Sequence, residues 1–335
     1  MTAVDVHAHV IVPEVLREAA PAEGWRPTLR RVNGRRVVEF DGRRIDSMIH
    51  EFVSLERILA TQERAGIGHV VLSPWVPLLG YHVDPEEGLR RCRLQNQGLA
   101  RMRAERPDRV SVLGTVPLQD PVLAAAELVA MMASGSFAGV EITASVRGDY
   151  LGDAQFAPFW SAAESTGALV FIHPTTRGFG EPVFRDYYLH NLVGNPMETT
   201  LTAAHMVLAG VLERHPDLRV VLAHGGGAIL ALRGRLRHGH EVVAAAGRAL
   251  SESPEDSIRR FRFDTVTHDP VLLRDLVQAV GADRMLLGSD YPFDMADAHP
   301  VETVRRAGLD ADEEAAILAG NAERLLAGSA RRASA

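Results

Sequence analysis

The sequence predicts an α/β protein folded as a (β/α)8 TIM-like barrel, and three observations favour this fold. Eight short apolar runs recur along the chain, segments with helical spacing lie between most of them, and the first run leads into His7-Ala8-His9. Eight alternating strands and helices favour a closed parallel barrel over an open sheet, which would more typically carry a glycine-rich phosphate loop after its first strand. The eight runs are 4–9, 67–75, 110–116, 137–143, 168–173, 219–224, 260–266 and 284–290.

The spacing of apolar residues between these runs predicts the surrounding helices. Seven segments have this spacing: 54–65, 86–101, 121–134, 154–166, 196–215, 269–281 and 312–326. Asn-Gly at 33–34 and Asp-Gly at 41–42 predict a small antiparallel β-hairpin or meander at 28–45, inserted after strand 1. We expect residues 1–328 to form a single barrel domain and residues 329–335 to form a disordered tail.

The composition is that of an ordinary soluble globular protein and excludes several classes of function. The chain has 335 residues, of which 46% are hydrophobic and 24% charged, and its formal net charge of −7 argues against nonspecific binding to nucleic acid or to an anionic membrane. Cys92 is the single cysteine, so an intramolecular disulfide is excluded and a reducing compartment is expected. No apolar segment has the length of a membrane span, and the first residues do not resemble a signal peptide. We therefore expect a cytoplasmic protein.

Ionisable side chains stand at the ends of four of the predicted strands. His7 and His9 lie two residues apart in the first run, so both point to the same side of that strand. His173 ends the fifth run, His224 the sixth and Asp290 the eighth. The carboxyl ends of all strands face one mouth of a barrel, where the active sites of this fold lie. Buried strands that end in such groups therefore predict a metal site at this mouth.

The residue types at the strand ends define the chemistry of this site. Three neutral imidazoles and one carboxylate suit a divalent ion such as Zn2+, with one position left for water or substrate, which makes the site catalytic. The same ligands do not exclude Mn2+, Co2+ or Fe2+. His224, which precedes Gly225-Gly226-Gly227, could be a further ligand or an acid/base group. Glu141, in the fourth run, could bridge to a second metal, but a carboxylate paired with an arginine is the favoured interpretation.

Four longer motifs surround these strand ends: Asp5-Val-His-Ala-His9, Phe171-Ile-His-Pro174, Leu222-Ala-His-Gly-Gly-Gly227 and Leu287-Gly-Ser-Asp-Tyr-Pro-Phe293. Together they resemble the motifs of the amidohydrolase superfamily, and in particular its metal-dependent decarboxylase branch, which includes aminocarboxymuconate-semialdehyde decarboxylase. The similarity extends over nearly the whole chain.

The resemblance implies a role for each residue of the predicted site. It implies that one zinc ion per chain is bound by His7, His9, His173 and Asp290. It also implies that His224 is the catalytic acid/base. Arg235 would reach into the site of a partner subunit and hold a substrate carboxylate, so that the working form would be a homodimer.

Two positions depart from the pattern of the decarboxylase branch. Ile49 stands where the branch has a substrate-binding arginine, and Arg43, Arg44 or His50 could replace that arginine. Thr175 stands where the branch has a tryptophan after the His-Pro of strand 5. A guanidinium group is the natural partner of a carboxylate, so we expect a different pocket, and a substrate with fewer carboxylates, around the same metal chemistry.

The leading functional hypothesis is nonoxidative decarboxylation of a small unsaturated or aromatic carboxylic acid, with His224 managing the proton that replaces carbon dioxide. The alternative is hydrolysis of an amide or lactone, or hydration of a double bond, in which Asp290 takes the proton of a metal-bound water. A third hypothesis is a binding protein that keeps the metal as a scaffold. It is disfavoured because every polar strand end that the chemistry requires is present. The loop 174–195 is long and aromatic, which suits a substrate lid.

Overall fold

A computed structural model describes residues 2–16, 26–32, 35–40, 43–45, 49–175 and 184–332, and it contains one sheet of eight parallel strands. Each strand pairs with the next one along the chain, as expected for a barrel. The strands are β1 (Ala3–Val10), β2 (Ile67–Pro74), β3 (Val110–Gly114), β4 (Gly139–Thr143), β5 (Leu169–His173), β6 (Arg219–Leu222), β7 (Arg262–Asp264) and β8 (Met285–Leu286).

The barrel closes between β8 and β1. The backbone N–H of Val6 donates to the oxygen of Leu287 at 2.9 Å, and the N–H of Asp290 donates to the oxygen of His7 at 2.8 Å. These bonds continue the sheet beyond β8. Strand β8 is much shorter than the predicted run 284–290, because the chain after Leu286 pairs with β1 through separate hydrogen bonds and not through a regular ladder. The prediction of a (β/α)8 barrel is confirmed.

Eight main helices flank the barrel, and several begin at a capping side chain. Asp120 and Asp269, for example, accept hydrogen bonds from backbone N–H groups of the first turns of α3 and α7. The helices are α1 (Leu55–Arg64), α2 (Pro85–Glu105), α3 (Pro121–Ala133), α4 (Ala157–Thr166), α5 (Asn195–Leu208), α6 (Ile229–Val242), α7 (Pro270–Val280) and α8 (Asn321–Arg332). Shorter helices span Ile49–Val53, Val211–Arg214, Pro254–Ile258, Pro300–Arg306 and Ala311–Ala315. No helix in the described ranges has the length and apolar character needed to cross a membrane.

The single helix predicted over 196–215 is wrong, because the chain forms two helices there. Gly210 lies between them with φ of +68°, a left-handed conformation that ends a right-handed helix. A Cβ at this position would lie 2.7 Å from the oxygen of Ala249, so the close approach of the two segments also requires glycine.

Two further predicted segments are described only in part. Residues 28–45 contain three antiparallel strands, Thr28–Val32, Arg35–Phe40 and Arg43–Ile45, and the turns at 33–34 and 41–42 lie outside the described residues. Helix α8 runs to Arg332, within the segment 329–335 for which a tail is expected, and residues 333–335 are not described.

An apolar cluster lies beneath the polar strand ends and supports them. It draws buried side chains from six barrel strands: Val4, Val6, Val71, Leu113, Leu169, Phe171, Val221 and Leu286. Ala322 and Leu325 of α8 belong to the same cluster. The ring of Phe171 lies 4.7 Å from that of His7, so this core contacts the site directly.

Candidate metal centre

Four side chains from three parts of the barrel converge at the carboxyl ends of the strands. The four predicted ligands His7, His9, His173 and Asp290 are all buried, and one ligand atom from each lies within 4.8 Å of the others. The Nε2 atoms of His7 and His9 are 3.1 Å apart. Asp290 Oδ1 lies 3.1 Å from Nε2 of His7, 3.3 Å from that of His9 and 3.7 Å from that of His173. The structure thus brings together the four predicted ligands.

The outer ring nitrogens of two of these histidines face backbone acceptors. Nδ1 of His9 lies 3.2 Å from the oxygen of Pro74, and Nδ1 of His173 lies 2.8 Å from the oxygen of Pro174. A proton on Nδ1 satisfies these carbonyls and leaves the lone pair of Nε2 directed at the common centre. Both rings are therefore held in the tautomer that binds a metal.

Two atoms at the centre have no hydrogen-bond partner among the described residues, namely His173 Nε2 and Asp290 Oδ1. Burial lowers the pKa of His173 to about 3, so its imidazole is neutral and available as a ligand. Burial by itself would raise the pKa of Asp290, but His7, His173 and His224 hold it well below its usual range. Imidazole nitrogens and a carboxylate oxygen aimed at one point fit a divalent metal ion, which supplies the missing partner.

Asp264, which follows Phe263 in β7, is a functional residue that sequence analysis missed. Its Oδ2 lies 2.6 Å from Nδ1 of His7 and accepts the backbone N–H of His224 at 3.0 Å. Its Oδ1 accepts the N–H groups of Gly225 at 2.8 Å and Val266 at 3.1 Å. One fully buried carboxylate thus orients a ligand and shapes the loop that follows β6. The available signal was a charged residue inside the apolar run 260–266.

The charge of His7 depends on these carboxylates. Burial lowers the pKa of His7, but Asp290 and Asp264 outweigh that effect and raise it to about 10. In the metal-free chain the His7 ring is therefore an imidazolium with a proton on each nitrogen, and a metal ion must displace the proton on Nε2.

His224 lies beside the four-residue cluster and contacts its carboxylate from the other side. Its Nε2 is 3.3 Å from Asp290 Oδ2, and its side chain is 16% exposed. The backbone of His224 is left-handed, with φ of +56°, and so are the glycines at 225–227. Such strain in a non-glycine residue is held by surrounding contacts and is common at functional sites. Gly227 has a steric reason as well, because a Cβ there would collide with the oxygen of Pro196.

Glu141 lies below the centre, and its predicted pairing with an arginine is wrong. It is fully buried, its Oε1 lies 3.5 Å from Nδ1 of His9, and neither of its oxygens has a hydrogen bond or an arginine partner among the described residues. Burial raises the pKa of its carboxyl to about 7.

Aromatic rings form a wall beside the ligands. The ring of Phe293 lies 4.9 Å from that of His9 and 5.4 Å from that of Phe52, which in turn lies 6.0 Å from Trp75. The Phe293 ring is tilted by only 30° from that of His173. Flat apolar surfaces therefore border the mouth of the metal centre.

Other predicted residues lie farther from these contacts or outside the described region. Arg235 is an exposed residue of α6 and makes no hydrogen bond or ion pair with any described residue. The side chains of Arg43, Arg44, Ile49 and His50 are outside the described residues, as are residues 176–183 of the predicted lid.

Comparison with known proteins agrees with this geometry. The model of the amidohydrolase family matches residues 4–327. The chain belongs to the amidohydrolase family. It is 30% identical to 2-amino-3-carboxymuconate-6-semialdehyde decarboxylase of Dictyostelium discoideum over 329 residues, which cover 95% of this chain and 90% of that protein.

Solved structures resemble this chain over almost its full length. The structure of 5-carboxyvanillate decarboxylase from Sphingomonas paucimobilis superposes with a TM-score of 0.83 at 26% identity, covering 97% of this chain and 99% of that one. A dihydroxybenzoic acid decarboxylase from Polaromonas, solved with manganese and 2-nitroresorcinol, superposes with a TM-score of 0.80 at 20% identity, covering 97% of each chain. The second likeness supports the fold alone.

Proposed function

We propose that this protein is a metal-dependent nonoxidative decarboxylase of a small unsaturated or aromatic carboxylic acid. The observation that carries the proposal is the arrangement of groups around the two carboxylate oxygens of Asp290. One oxygen faces three imidazoles, and the other faces His224, which is not one of the four converging groups. The relatives named above act on acids of this type, and the similarity extends over the whole barrel.

The metal would be held by His7, His9, His173 and Asp290. When bound, it would neutralise the substrate's carboxylate and fix that group and a neighbouring oxygen at the mouth of the barrel. We assign Zn2+ first on the nitrogen-rich ligand set, with Mn2+ as the ion to test beside it.

His224 would supply the proton that replaces the lost carboxylate. Its Nε2 lies 3.3 Å from the Oδ2 of Asp290, and this contact would orient the ring for the transfer. When the bond between the carboxyl carbon and the substrate carbon breaks, carbon dioxide leaves and the electron pair remains on the substrate carbon. The proton from His224 forms the new C–H bond there, and the imidazole becomes neutral. Phe293 would lie against the flat face of the substrate and exclude water.

We also propose a homodimer in which Arg235 binds a substrate carboxylate in the partner's site. A guanidinium group that is exposed and without a partner among the described residues is suited to such a contact. Exposed apolar side chains on the neighbouring elements would supply the interface: Leu192, Val193, Leu201, Val242 and Val243. Mixing Arg235→Ala chains with His224→Ala chains should restore part of the activity through hybrid dimers. A strict monomer by light scattering, or no rescue after confirmed subunit exchange, would end this proposal.

The reaction is tested with a panel of hydroxybenzoates, aminobenzoates and muconate-like acids in deuterated water. At least one acid should release carbon dioxide and gain deuterium at the vacated carbon, and metal-stripped protein is the control. A hydrolase would instead turn over lactones or amides and place oxygen-18 from water in the product acid. Incorporation of oxygen-18 without release of carbon dioxide would overturn the proposed reaction.

A further inference from the structure

Glu198, in the first turn of α5, is a buried carboxylate with no part in the reaction described above. It is fully buried, and its Oε1 accepts the hydroxyl of Ser145 at 2.6 Å. Its Oε2 accepts both the backbone N–H and the hydroxyl of Thr175 at 2.7 Å. Both donor residues lie just beyond strand ends, Ser145 beyond β4 and Thr175 beyond β5. Burial of a charged group at this depth is costly unless hydrogen bonds replace the lost solvation, as the three hydrogen bonds to Glu198 do.

The hydrogen bond from the Thr175 N–H to Glu198 is connected to the predicted metal ligand His173 through a single peptide group. That N–H belongs to the same peptide group as the carbonyl of Pro174, and this carbonyl lies 2.8 Å from Nδ1 of His173. A peptide group is planar, so an acceptor that fixes the N–H also fixes the direction of the carbonyl on its opposite side. The chain of contacts therefore runs from the Glu198 carboxylate through one peptide plane to the His173 ring.

We propose that Glu198 is a positioning residue for the metal ligand His173 and acts through the peptide between Pro174 and Thr175. By orienting this peptide, Glu198 keeps the proton of His173 on Nδ1 and the lone pair of Nε2 aimed at the centre. The inference rests on the metal-binding part of the proposed function and is independent of the reaction that the centre carries out.

The place of Glu198 in the fold explains how a carboxylate is held there. Glu198 lies in a 14-residue helix that continues without a break from the helical turn His190–Gly194. Burial raises the pKa of Glu198, and its hydrogen bonds with Ser145 and Thr175 oppose that rise. The helix thus offers a rigid support for an acceptor that the loop after β5 could not supply.

The test measures metal affinity and not turnover. Metal-stripped wild type, Glu198→Ala and Glu198→Gln would be titrated with Zn2+ and with Mn2+ against a chromogenic chelator. Loss of a group that orients a metal-bound histidine typically weakens binding by about tenfold to a hundredfold, which is the result expected for Glu198→Ala. Glu198→Gln keeps an oxygen for the Thr175 N–H and places its amide near the Ser145 hydroxyl, so most of the affinity should return. The absorption spectrum of the Co2+-loaded protein should change in Glu198→Ala and be restored in Glu198→Gln.

Three further variants separate positioning from a structural role. Thr199→Ala is the matched control, because Thr199 is fully buried on the same helix and its hydroxyl bonds to the oxygen of Asn195 within that helix. Thr175→Val keeps the N–H and should bind metal almost as wild type. Glu198→Asp shortens the side chain and replaces Glu198→Ala if the latter does not fold. We expect it to bind metal more weakly than Glu198→Gln does.

The proposal would be overturned by wild-type affinity in folded Glu198→Ala or Glu198→Asp, or by a loss in Thr175→Val equal to that in Glu198→Ala. A wild type that binds metal but decarboxylates nothing would leave this inference standing and refute the proposed reaction.

Discussion

The substitution Asp264→Asn tests whether the carboxylate in β7 organises the metal centre. The exchange preserves shape and replaces one acceptor oxygen by an NH2 donor. If the NH2 group takes the place of Oδ2, it faces Nδ1 of His7 and the N–H of His224. His7 must then carry its proton on Nε2 and cannot bind the metal. If it takes the place of Oδ1, it faces the N–H groups of Gly225 and Val266.

With the NH2 group at the Oδ1 position, the exchange removes two hydrogen bonds to a buried charged acceptor; at the Oδ2 position it removes the bond from His224 and reverses the one to His7. Each lost bond contributes about 1.5–3 kcal/mol, so the folded state should lose about 1.5–6 kcal/mol before it relaxes. We expect metal affinity to fall by about tenfold to a hundredfold, as for other groups that orient metal-bound histidines. Without the metal, the free energy of unfolding should fall by about 3 kcal/mol, since the folded state relaxes in part around the new amide.

The assay combines chelator competition for metal affinity with urea unfolding of the metal-free protein. Asp120→Asn is the matched control, because Asp120 also accepts two backbone N–H groups but does so at the start of α3, where Asn caps a helix as well as Asp does. A folded Asp264→Asn protein with metal affinity within about twofold of wild type would refute the reasoning, since the carboxylate–histidine contact would then be dispensable.

Four further substitutions address the site through three separate readouts. His7→Ala and Asp290→Ala should purify with little metal by elemental analysis, and near-full metal content in a folded variant would remove that residue from the ligand set. His224→Ala should keep the fold and most of the metal but lose turnover by about a hundredfold or more, because only the acid/base group is removed. If its metal content collapses together with its activity, His224 is a ligand instead. Gly227→Ala should lower the free energy of unfolding by about 1–3 kcal/mol or more, because its φ of +64° is unfavourable for alanine and the new Cβ would collide with the oxygen of Pro196. Unchanged thermal unfolding would contradict this assignment.

The sequence was informative where a short-range pattern determines geometry. His7 and His9 must share one side of a strand because strand side chains alternate with a period of two. The endings at His173 and Asp290 must share one mouth because every strand of the barrel is parallel. These two rules place four groups near one point without knowledge of any long-range contact.

What the sequence could not predict depends on contacts between distant segments. Asp264 lies in an apolar run, and its function is visible only once its distance to His7 is known. Glu198 was part of a predicted helix, and nothing local indicates that its first turn meets the loop at Thr175. The break at Gly210 was missed because a single glycine is tolerated within many helices, and here a left-handed φ and the neighbouring oxygen of Ala249 decide the outcome.

The central claim is that His7, His9, His173 and Asp290 bind one divalent metal ion, and anomalous diffraction tests it most directly. Crystals of metal-loaded protein would be measured above and below the absorption edge of zinc, and of manganese where that ion is used. One anomalous peak per chain is expected among the four ligands at the ends of β1, β5 and β8, at about 2.0–2.2 Å from the three Nε2 atoms and a carboxylate oxygen of Asp290 when the ion is zinc. Absence of a peak there at full metal content, or a peak bound by other side chains, would contradict it.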